Sequence, residues 1–251
     1  MSGAVTNVVG PRAVFGVIVP STNTVVEHDY WRAGVEGVAY RAGSMHIADP
    51  SMDGNAGFEA LLVQIRASID IAVRDALTAE PDRLVMGMSA ETFWGGVEGN
   101  AAFEQRLRDA TGLPVTTGAS ACRAALETLG VRRIAVFSPY QPVADVEVGR
   151  FFTEAGFDVA AITGLRCATA TDIACVGEPR LRDVVAELDA PDVEAIVQVG
   201  TNLSFVGLSE ALEAELGKPV VAINAATLWH ALREHGIEDR VEGFGSLLRH
   251  H

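Results

Sequence analysis

The chain has 251 residues, 49% of them hydrophobic and 21% charged, a composition that supports a substantial buried core and excludes a disordered chain. No apolar run reaches the roughly 18–20 residues of a membrane-spanning helix, and the net charge of −14 argues against nucleic acid and anionic membranes as partners. Three scattered cysteines argue against a disulfide framework, and residues 1–12 lack a secretion signal, so we expect a cytoplasmic protein.

Short apolar runs alternate with longer helical patterns along the chain, which is typical of parallel sheets with crossover helices. The predicted strands are, in chain order, 13–19, 83–87, 114–117, 133–137, 195–199 and 219–223. Between residues 58 and 79, apolar side chains recur every three or four positions, which predicts an amphipathic helix. The pattern predicts the α/β fold class.

Two stretches of the chain repeat the same features in the same order. Gly-x-Pro-Val begins at Gly112 and again at Gly217, and each copy is followed by Ala-Leu and later by a glycine, Gly130 or Gly236. Chance recurrence is the alternative. An internal duplication predicts two pseudo-symmetric, doubly wound parallel-sheet halves with the active-site cleft between them, because ligands bind at the carboxyl ends of parallel strands.

The same reasoning divides the chain into two domains. We assign residues 1–118 together with 224–251 to the N-terminal half, so that the chain returns to this half at its end. Residues 119–223 form the C-terminal half.

Polar residues follow the first predicted strand directly. Ser21, Thr22 and Asn23 offer backbone N–H groups and an amide that can hold a substrate carboxylate at a helix N-terminus. The alternative is that these residues cap the next helix, with Thr24 and Glu27 completing a capping pattern. The two interpretations are compatible.

A second polar turn follows the strand that ends at Gly87. Glu91 is a candidate general base or acid, because a carboxylate just beyond a buried strand must be solvated, paired or used. Its alternative is a solvated residue favoured by the helix dipole. Ser89 is either a catalytic hydroxyl or a turn residue, and Met88 is expected to border the substrate.

Corresponding turns occur in the second half. Tyr140 follows a strand, and its hydroxyl can donate to a carboxylate or an enolate, or the ring can simply pack. Gly200, Thr201 and Asn202 follow another strand and offer N–H groups, a hydroxyl and an amide to an anion. We therefore expect these residues to bind substrate.

Other chemistry has little support. The six histidines form no metal-spaced set, and the sequence has no phosphate loop, no dinucleotide-binding glycine motif and no lysine in a cofactor context. We expect no metal and no cofactor. Cys122 is expected to be a small buried thiol, whereas Cys167 and Cys175 lie in an irregular stretch that could approach the cleft.

Three motifs resemble those of a known family. Residues 17–24, Val-Ile-Val-Pro-Ser-Thr-Asn-Thr, resemble the opening motif of the maleate cis-trans isomerases, in which the asparagine binds a substrate carboxylate. Residues 138–140 and 200–203 are similar to the family's tyrosine turn and second catalytic motif, and residues 111–133 are similar to arylmalonate decarboxylases. The resemblance, which extends from about residue 16 to about residue 245, implies membership of the Asp/Glu racemase superfamily.

What the resemblance implies is a pseudo-symmetric two-domain fold, cofactor-free chemistry beside carboxylates, and a homodimer. The cysteine that these isomerases place at each of two strand ends is missing. The first position falls at Met88 or Gly87 and the second at Gly200, and none of these residues can form a thiolate. Thiolate addition to a double bond and racemisation by two thiols are therefore not expected at these positions.

We predict a cofactor-independent isomerase or lyase, with a hydrolase also possible, that acts on a small carboxylate or dicarboxylate. Its reaction would proceed through an enolate-like intermediate or by general-base chemistry, with Glu91, Ser89 and Tyr140 as catalytic residues. One alternative is a non-catalytic, acid-binding or regulatory relative. A second alternative is a thiol-dependent isomerase or racemase that uses a displaced cysteine, Cys167 or Cys175.

Overall fold

A computed structural model of the chain describes residues 7–251. The strands in this part of the chain are β1 (Ala13–Pro20), β2 (Val38–Met45), β3 (Arg83–Met86), β4 (Val115–Thr116), β5 (Arg133–Ser138), β6 (Asp158–Gly164), β7 (Ala195–Gln198) and β8 (Val220–Ala222). They form two parallel sheets with the orders β2-β1-β3-β4 and β6-β5-β7-β8. The α/β class and its two matching halves are therefore confirmed.

Helices connect the strands and cover the sheets. They are α1 (Val25–Ala33), α2 (Gly54–Leu77), α3 (Ala90–Phe93), α4 (Gly96–Thr111), α5 (Gly118–Leu129), α6 (Pro142–Glu154), α7 (Glu178–Leu188), α8 (Val206–Leu216), α9 (Ile223–Glu234) and α10 (Gly245–His250), with a 3-10 turn at Asp172–Cys175. The helix predicted at 58–79 is confirmed as α2. Within residues 7–251, none of the helices has the length and apolar character needed to cross a bilayer.

The six predicted strands are confirmed to within one residue at each end, but two strands were missed. These are β2 and β6, which form the corresponding outer edges of the two sheets. β2 mixes apolar with polar and small residues, and β6 is partly exposed along most of its length. An edge strand pairs on one side only and needs no continuous apolar run, so neither strand stands out in the sequence.

The repeated glycines end corresponding helices. Gly112 follows α4 with φ +71°, and Gly217 follows α8 with φ +65°. This left-handed conformation is easily reached only by a residue without a β-carbon, which explains why the same residue recurs after each helix.

α9 carries the chain from the second sheet back to the first. It packs against α1, α5, β3 and β4. Gly118 and Ile223 lie so close that a β-carbon on the glycine would stand 2.7 Å from the isoleucine side chain. The exact division into residues 1–118 with 224–251 and residues 119–223 stays a prediction. Residues 1–6 lie outside the described residues, and both the predicted N-terminal half and the stretch without a secretion signal include them.

Candidate active site

The turns that follow β1, β3, β5 and β7 meet between the two sheets and line a cavity that is partly open to solvent. Its polar lining residues are Thr22, Asn23, Ser89, Tyr140, Thr201 and Asn202. Its apolar lining residues are Pro20, Met52, Phe58, Leu61, Leu62, Ile65, Met88, Ala90, Ala170 and Ile173. These lining residues include no charged side chain, so the cavity joins an apolar wall to a neutral polar end.

Ser89 and Tyr140 form a hydroxyl pair across the two halves. Their oxygens are hydrogen-bonded to each other, and both residues are buried. Ser89 Oγ also accepts the N–H of Thr201 at 3.3 Å. The mutual bond uses only one of the two hydroxyl hydrogens, which leaves the other for a ligand.

Burial raises the pKa of the Tyr140 hydroxyl, and hydrogen bonds with Ser89 and with the Ala90 backbone oppose this shift only in part. The hydroxyl therefore keeps its proton at neutral pH. In this form it can donate a hydrogen bond to an anion or deliver a proton to one.

Asn23 caps a helix and also links the halves. Its Oδ1 accepts the N–H groups of Val25 and Val26 at 3.0 Å, and its Nδ2 donates to Thr201 Oγ1 at 3.1 Å. The Thr201 hydroxyl in turn donates to the Gly87 carbonyl at 3.1 Å. Asn23 thus retains one N–H for a ligand, whereas the Thr201 hydroxyl has no hydrogen left to donate.

The expected capping pattern of Thr24 with Glu27 is wrong. Thr24 occupies the N-cap position of α1, but its side chain makes no capping hydrogen bond. The Asn23 amide instead accepts the N–H groups of Val25 and Val26 in the first turn of α1, so the cap comes from one residue earlier.

Asn202 acts as a clamp between the halves. Its Oδ1 accepts the Thr24 N–H at 3.0 Å, and its Nδ2 donates to the carbonyl oxygens of Thr22 and Ala170 at 3.2 and 3.0 Å. Both amide hydrogens are therefore used within the protein. What remains for a ligand is the backbone N–H of Asn202.

Among the cavity-lining residues, Thr22, Ser89 and Asn202 each carry a backbone N–H group that has no protein acceptor in the described part of the chain. They belong to three different strand-end turns. Together with the free hydroxyl hydrogen of the Ser89–Tyr140 pair and one N–H of Asn23, they form a set of neutral donors. Such a set can stabilise a carboxylate or an enolate without a metal ion or a cationic side chain.

Two predicted site residues lie beside the cavity instead of lining it. Ser21 Oγ accepts the Ile47 N–H at 3.0 Å, which holds the chain after β2. The single N–H of Arg66 Nε is shared between the two Glu91 carboxylate oxygens, each 2.9 Å from Nε, and Arg66 Nη2 forms an ion pair with the carboxylate at 2.8 Å. Glu91 is thus paired with a cation on α2, and its role as a base stays a prediction.

Gly200, the third predicted site residue outside the lining, shapes the second turn. Its φ of +116° is strained for any residue with a β-carbon, and a β-carbon there would clash with the Pro139 ring. At Gly87, a β-carbon would lie 2.5 Å from the Val19 side chain. Met88 does line the cavity, as expected, with an apolar side chain.

No cysteine is among the lining residues. Cys122 is fully buried, as expected, and burial raises the pKa of its thiol. Burial and the nearby Asp172 carboxylate raise the pKa of Cys167 to about 11. Cys175 is exposed. Within residues 7–251, no group of three or more His, Cys, Asp or Glu side chains could hold a metal ion.

The apolar wall of the cavity was not predicted from the sequence. Phe58, Leu61, Leu62 and Ile65 of α2 line the cavity, but their spacing is that of any core-facing helix. Met52 and Ile173 come from irregular segments with no periodic signal. No pattern in the chain separates the part of the α2 face that meets the sheet from the part that meets the cavity.

The arylmalonate decarboxylase family model matches residues 15–248. The chain belongs to the arylmalonate decarboxylase family. It is 32% identical over 157 residues to arylmalonate decarboxylase of Bordetella bronchiseptica, a match that covers 61% of this chain and spans 64% of the relative's length. It is 26% identical over 246 residues to maleate isomerase of Pseudomonas putida, covering 93% and 96% of the two chains.

The solved structures agree with this fold. Maleate cis-trans isomerase of Nocardia farcinica, seen as a cysteine-to-serine variant with a covalently bound succinylcysteine intermediate, superimposes with a TM-score of 0.84 at 23% identity. The match covers 95% of this chain and 99% of that one. The named relatives are thus isomerases and decarboxylases, which places this family member among isomerase and lyase enzymes.

Proposed function

We propose that the chain catalyses the cofactor-independent decarboxylation of a small malonate-type acid that bears an apolar substituent. The observation that carries the proposal is the division of one uncharged cavity into an apolar wall and a cluster of neutral donors. The substituent and one carboxylate would lie against the apolar wall. The other carboxylate would bind at the strand-end turns.

This placement favours loss of carbon dioxide. A carboxylate beside Leu61, Leu62 and Ile65 exchanges its hydration for an apolar surface, and it regains neutrality by leaving as carbon dioxide. The negative charge then develops on the carboxylate at the polar end. Donors already aimed at that position stabilise the charge without reorganisation.

The electron and proton balance needs no external oxidant or reductant. The bond between the α-carbon and the departing carboxylate breaks, and its electron pair moves into the remaining carboxylate to form an enediolate. The Tyr140 hydroxyl then protonates the α-carbon and regains its proton from water. One proton is consumed for each carbon dioxide released, and Ser89 holds the tyrosine hydroxyl in place.

Decarboxylation fits this cavity better than isomerisation of a double bond. Isomerisation through a covalent adduct requires a nucleophile that adds to the substrate, and the lining residues include no thiol. Carbon dioxide can leave before any protein group forms a bond to the substrate. The proposal therefore keeps the enolate-like intermediate of the sequence prediction and moves proton transfer from Glu91 to Tyr140.

The test is turnover of butylmalonate, phenylmalonate and maleate by purified protein, followed by carbon dioxide release and by proton NMR in heavy water. We expect both malonates to lose carbon dioxide and to gain one deuterium at the α-carbon, before and after dialysis against EDTA. Conversion of maleate to fumarate without decarboxylation of either malonate would overturn the proposal.

A second candidate is a carboxylate-binding protein without catalysis. It is favoured by one observation: Tyr140 is the only titratable side chain among the cavity-lining residues, and it holds its proton. Binding of phenylacetate and phenylmalonate in calorimetry, with no carbon dioxide released, would select this candidate.

Alkylation tests the displaced-thiol alternative. Iodoacetamide should modify the exposed Cys175 at neutral pH and spare Cys167, because burial raises the pKa of Cys167 to about 11. We expect turnover to be unchanged after modification. A loss of turnover that substrate prevents would instead assign the chemistry to a thiol.

We also propose a cytoplasmic homodimer that binds neither nucleic acid nor membrane, as the family resemblance and the negative charge suggest. Light scattering during size-exclusion chromatography tests the dimer, and a monomeric mass at micromolar concentration would reject it.

A further inference from the structure

One buried amide ties the second strand-end turn to two other elements. Asn224, in the first turn of α9, donates from Nδ2 to Asp29 Oδ2 at 2.9 Å and to the Thr201 carbonyl oxygen at 3.0 Å. Asp29 lies on α1, and both Asn224 and Asp29 are 3% exposed. The amide therefore connects α1, α9 and the turn after β7.

The contact with Thr201 determines where a neighbouring donor points. The peptide between Thr201 and Asn202 is planar and trans, so the Asn202 N–H points away from the carbonyl that Asn224 holds. This N–H has no protein acceptor within residues 7–251, and Asn202 lines the cavity. Holding the carbonyl on the outer side thus leaves the N–H available on the cavity side.

Asp29 decides which end of the Asn224 amide faces the turn. The NH₂ group lies between two acceptors, the Asp29 carboxylate and the Thr201 carbonyl. With the amide reversed, its oxygen would face both acceptors, so the carboxylate selects the donor orientation. The Oδ1 of Asn224 is buried and finds no hydrogen-bond partner in the described part of the chain, which indicates that the two donor contacts outweigh an unsatisfied acceptor.

The Asp29 carboxylate lies in an environment that disfavours its charged form. Burial raises the pKa of Asp29, and the hydrogen bond from Asn224, with the Arg32 and His28 charges, opposes the shift. A buried carboxylate is destabilising unless it is hydrogen-bonded, and Asn224 supplies such a bond to Asp29. Asp29 does not line the cavity, and its hydrogen bond with Asn224 connects it to the turn after β7.

We propose that Asn224, oriented by Asp29, is a positioning residue that aims the Asn202 N–H at the carboxylate-binding end of the cavity. This inference rests on the proposed function for its chemical meaning, since the donor would stabilise the enediolate. Loss of the hydrogen bond from Asn224 lets the Thr201–Asn202 peptide rotate, so the negative charge that develops on the enediolate is stabilised less. The ground-state substrate, held by the other donors, is affected less.

The test compares Asn224→Ala with a matched control, Thr227→Ala, which removes another buried side-chain hydrogen bond from the same helix. With phenylmalonate as substrate, Asn224→Ala should lower kcat about ten- to a hundredfold and change KM by less than about threefold. The control should leave both unchanged. In ¹⁵N NMR spectra, the Asn202 amide signal should move in Asn224→Ala and stay in place in Thr227→Ala.

Asp29→Asn provides a second variant if Asn224→Ala does not fold. It keeps the shape of the side chain and replaces the charged acceptor by a neutral one, so we expect an intermediate loss of kcat, about three- to tenfold. A folded Asn224→Ala with wild-type kcat and an unmoved Asn202 signal would overturn the inference. If the signal moves while the wild-type protein turns over no malonate, the positioning stands and the proposed function fails.

Discussion

At the scale of single residues, the polar side chains of the site differ in whether they still have a hydrogen to donate to a ligand. Asn202 was expected to offer its amide to an anion, yet both of its amide hydrogens are held by carbonyl oxygens. Asn23 keeps one free N–H because its Nδ2 donates only to Thr201, while its oxygen caps α1. The residue types can be read from the sequence, but the bonds that they make depend on segments about 180 positions away.

Tyr140→Phe tests the proton donor. The substitution removes the hydroxyl and keeps the ring beside Phe58, where the ring centroids are 5.2 Å apart. We expect kcat to fall by about 10²–10⁴, as for the loss of a general acid. The matched control is Tyr40→Phe, because the buried Tyr40 hydroxyl has no hydrogen-bond partner among residues 7–251 and lies outside the cavity lining. Equal activity of the two variants would exclude Tyr140 as the donor.

Gly200→Ala tests whether the second turn can carry a side chain. We expect it to lower the free energy of unfolding by about 1–3 kcal/mol from backbone strain, with a further loss from the clash with Pro139. Gly217→Ala is the control, since φ is also positive there but no atom lies within 4 Å of the added carbon. In urea unfolding, Gly200→Ala should lose clearly more free energy of unfolding than Gly217→Ala, and equal losses would mean that the turn accommodates a β-carbon without a clash.

At the scale of elements, two irregular segments, one from each half, pair with each other beside the cavity. Met52 N–H donates to the Ala168 carbonyl at 2.9 Å, and Ala170 N–H donates to the Pro50 carbonyl at 2.7 Å. The same pairing brings Ala170 and Ile173 of the second half to a wall otherwise built by α2 of the first. Neither segment has a periodic pattern, so their pairing could not be predicted from the chain.

Glu91→Gln decides between the sequence-based and the structure-based roles of this carboxylate. The Arg66–Glu91 pair joins α2 to α3, and the Arg66 side chain is 43% exposed. We expect the change to lower the free energy of unfolding by at most about 1 kcal/mol, because solvent screens the pair. Turnover should stay within about twofold of the wild type, since general-base loss would cost far more.

Arg66→Gln and the double variant complete the comparison for the Arg66–Glu91 pair. The coupling measured by thermal or urea unfolding gives the strength of the ion pair. A large loss of turnover in Glu91→Gln, without a similar loss in Arg66→Gln, would restore Glu91 as the base.

At the scale of the whole molecule, all three tyrosines are buried or partly buried, and burial raises the pKa of Tyr30, Tyr40 and Tyr140. A tyrosine in the unfolded chain loses its proton at about pH 10, whereas these three tyrosines in the folded protein keep their protons to higher pH. Above that pH the unfolded state binds fewer protons, so the free energy of unfolding falls as the pH rises.

We therefore expect tyrosinate absorbance to appear together with the loss of circular dichroism during an alkaline titration. The stabilising contribution should be fully present below about pH 10. Reversible titration of all three tyrosines near that pH, with the fold intact, would contradict this expectation.

The apolar runs and polar turns of the chain predict the α/β class, six of the eight described strands, the repeat and the four strand-end turns that meet at the cavity, because buried parallel strands need continuous apolar runs and their ends need polar turns. Which of those polar groups are free depends on how the two halves pack together. Glu91 is paired with Arg66, which lies on α2, 25 residues earlier in the chain. Thr201 is held by hydrogen bonds from Asn224 and Asn23, which belong to other segments. Hydrogen-bond partners that lie far apart in the chain leave no local pattern, so the available donors are known only once the two halves are packed together.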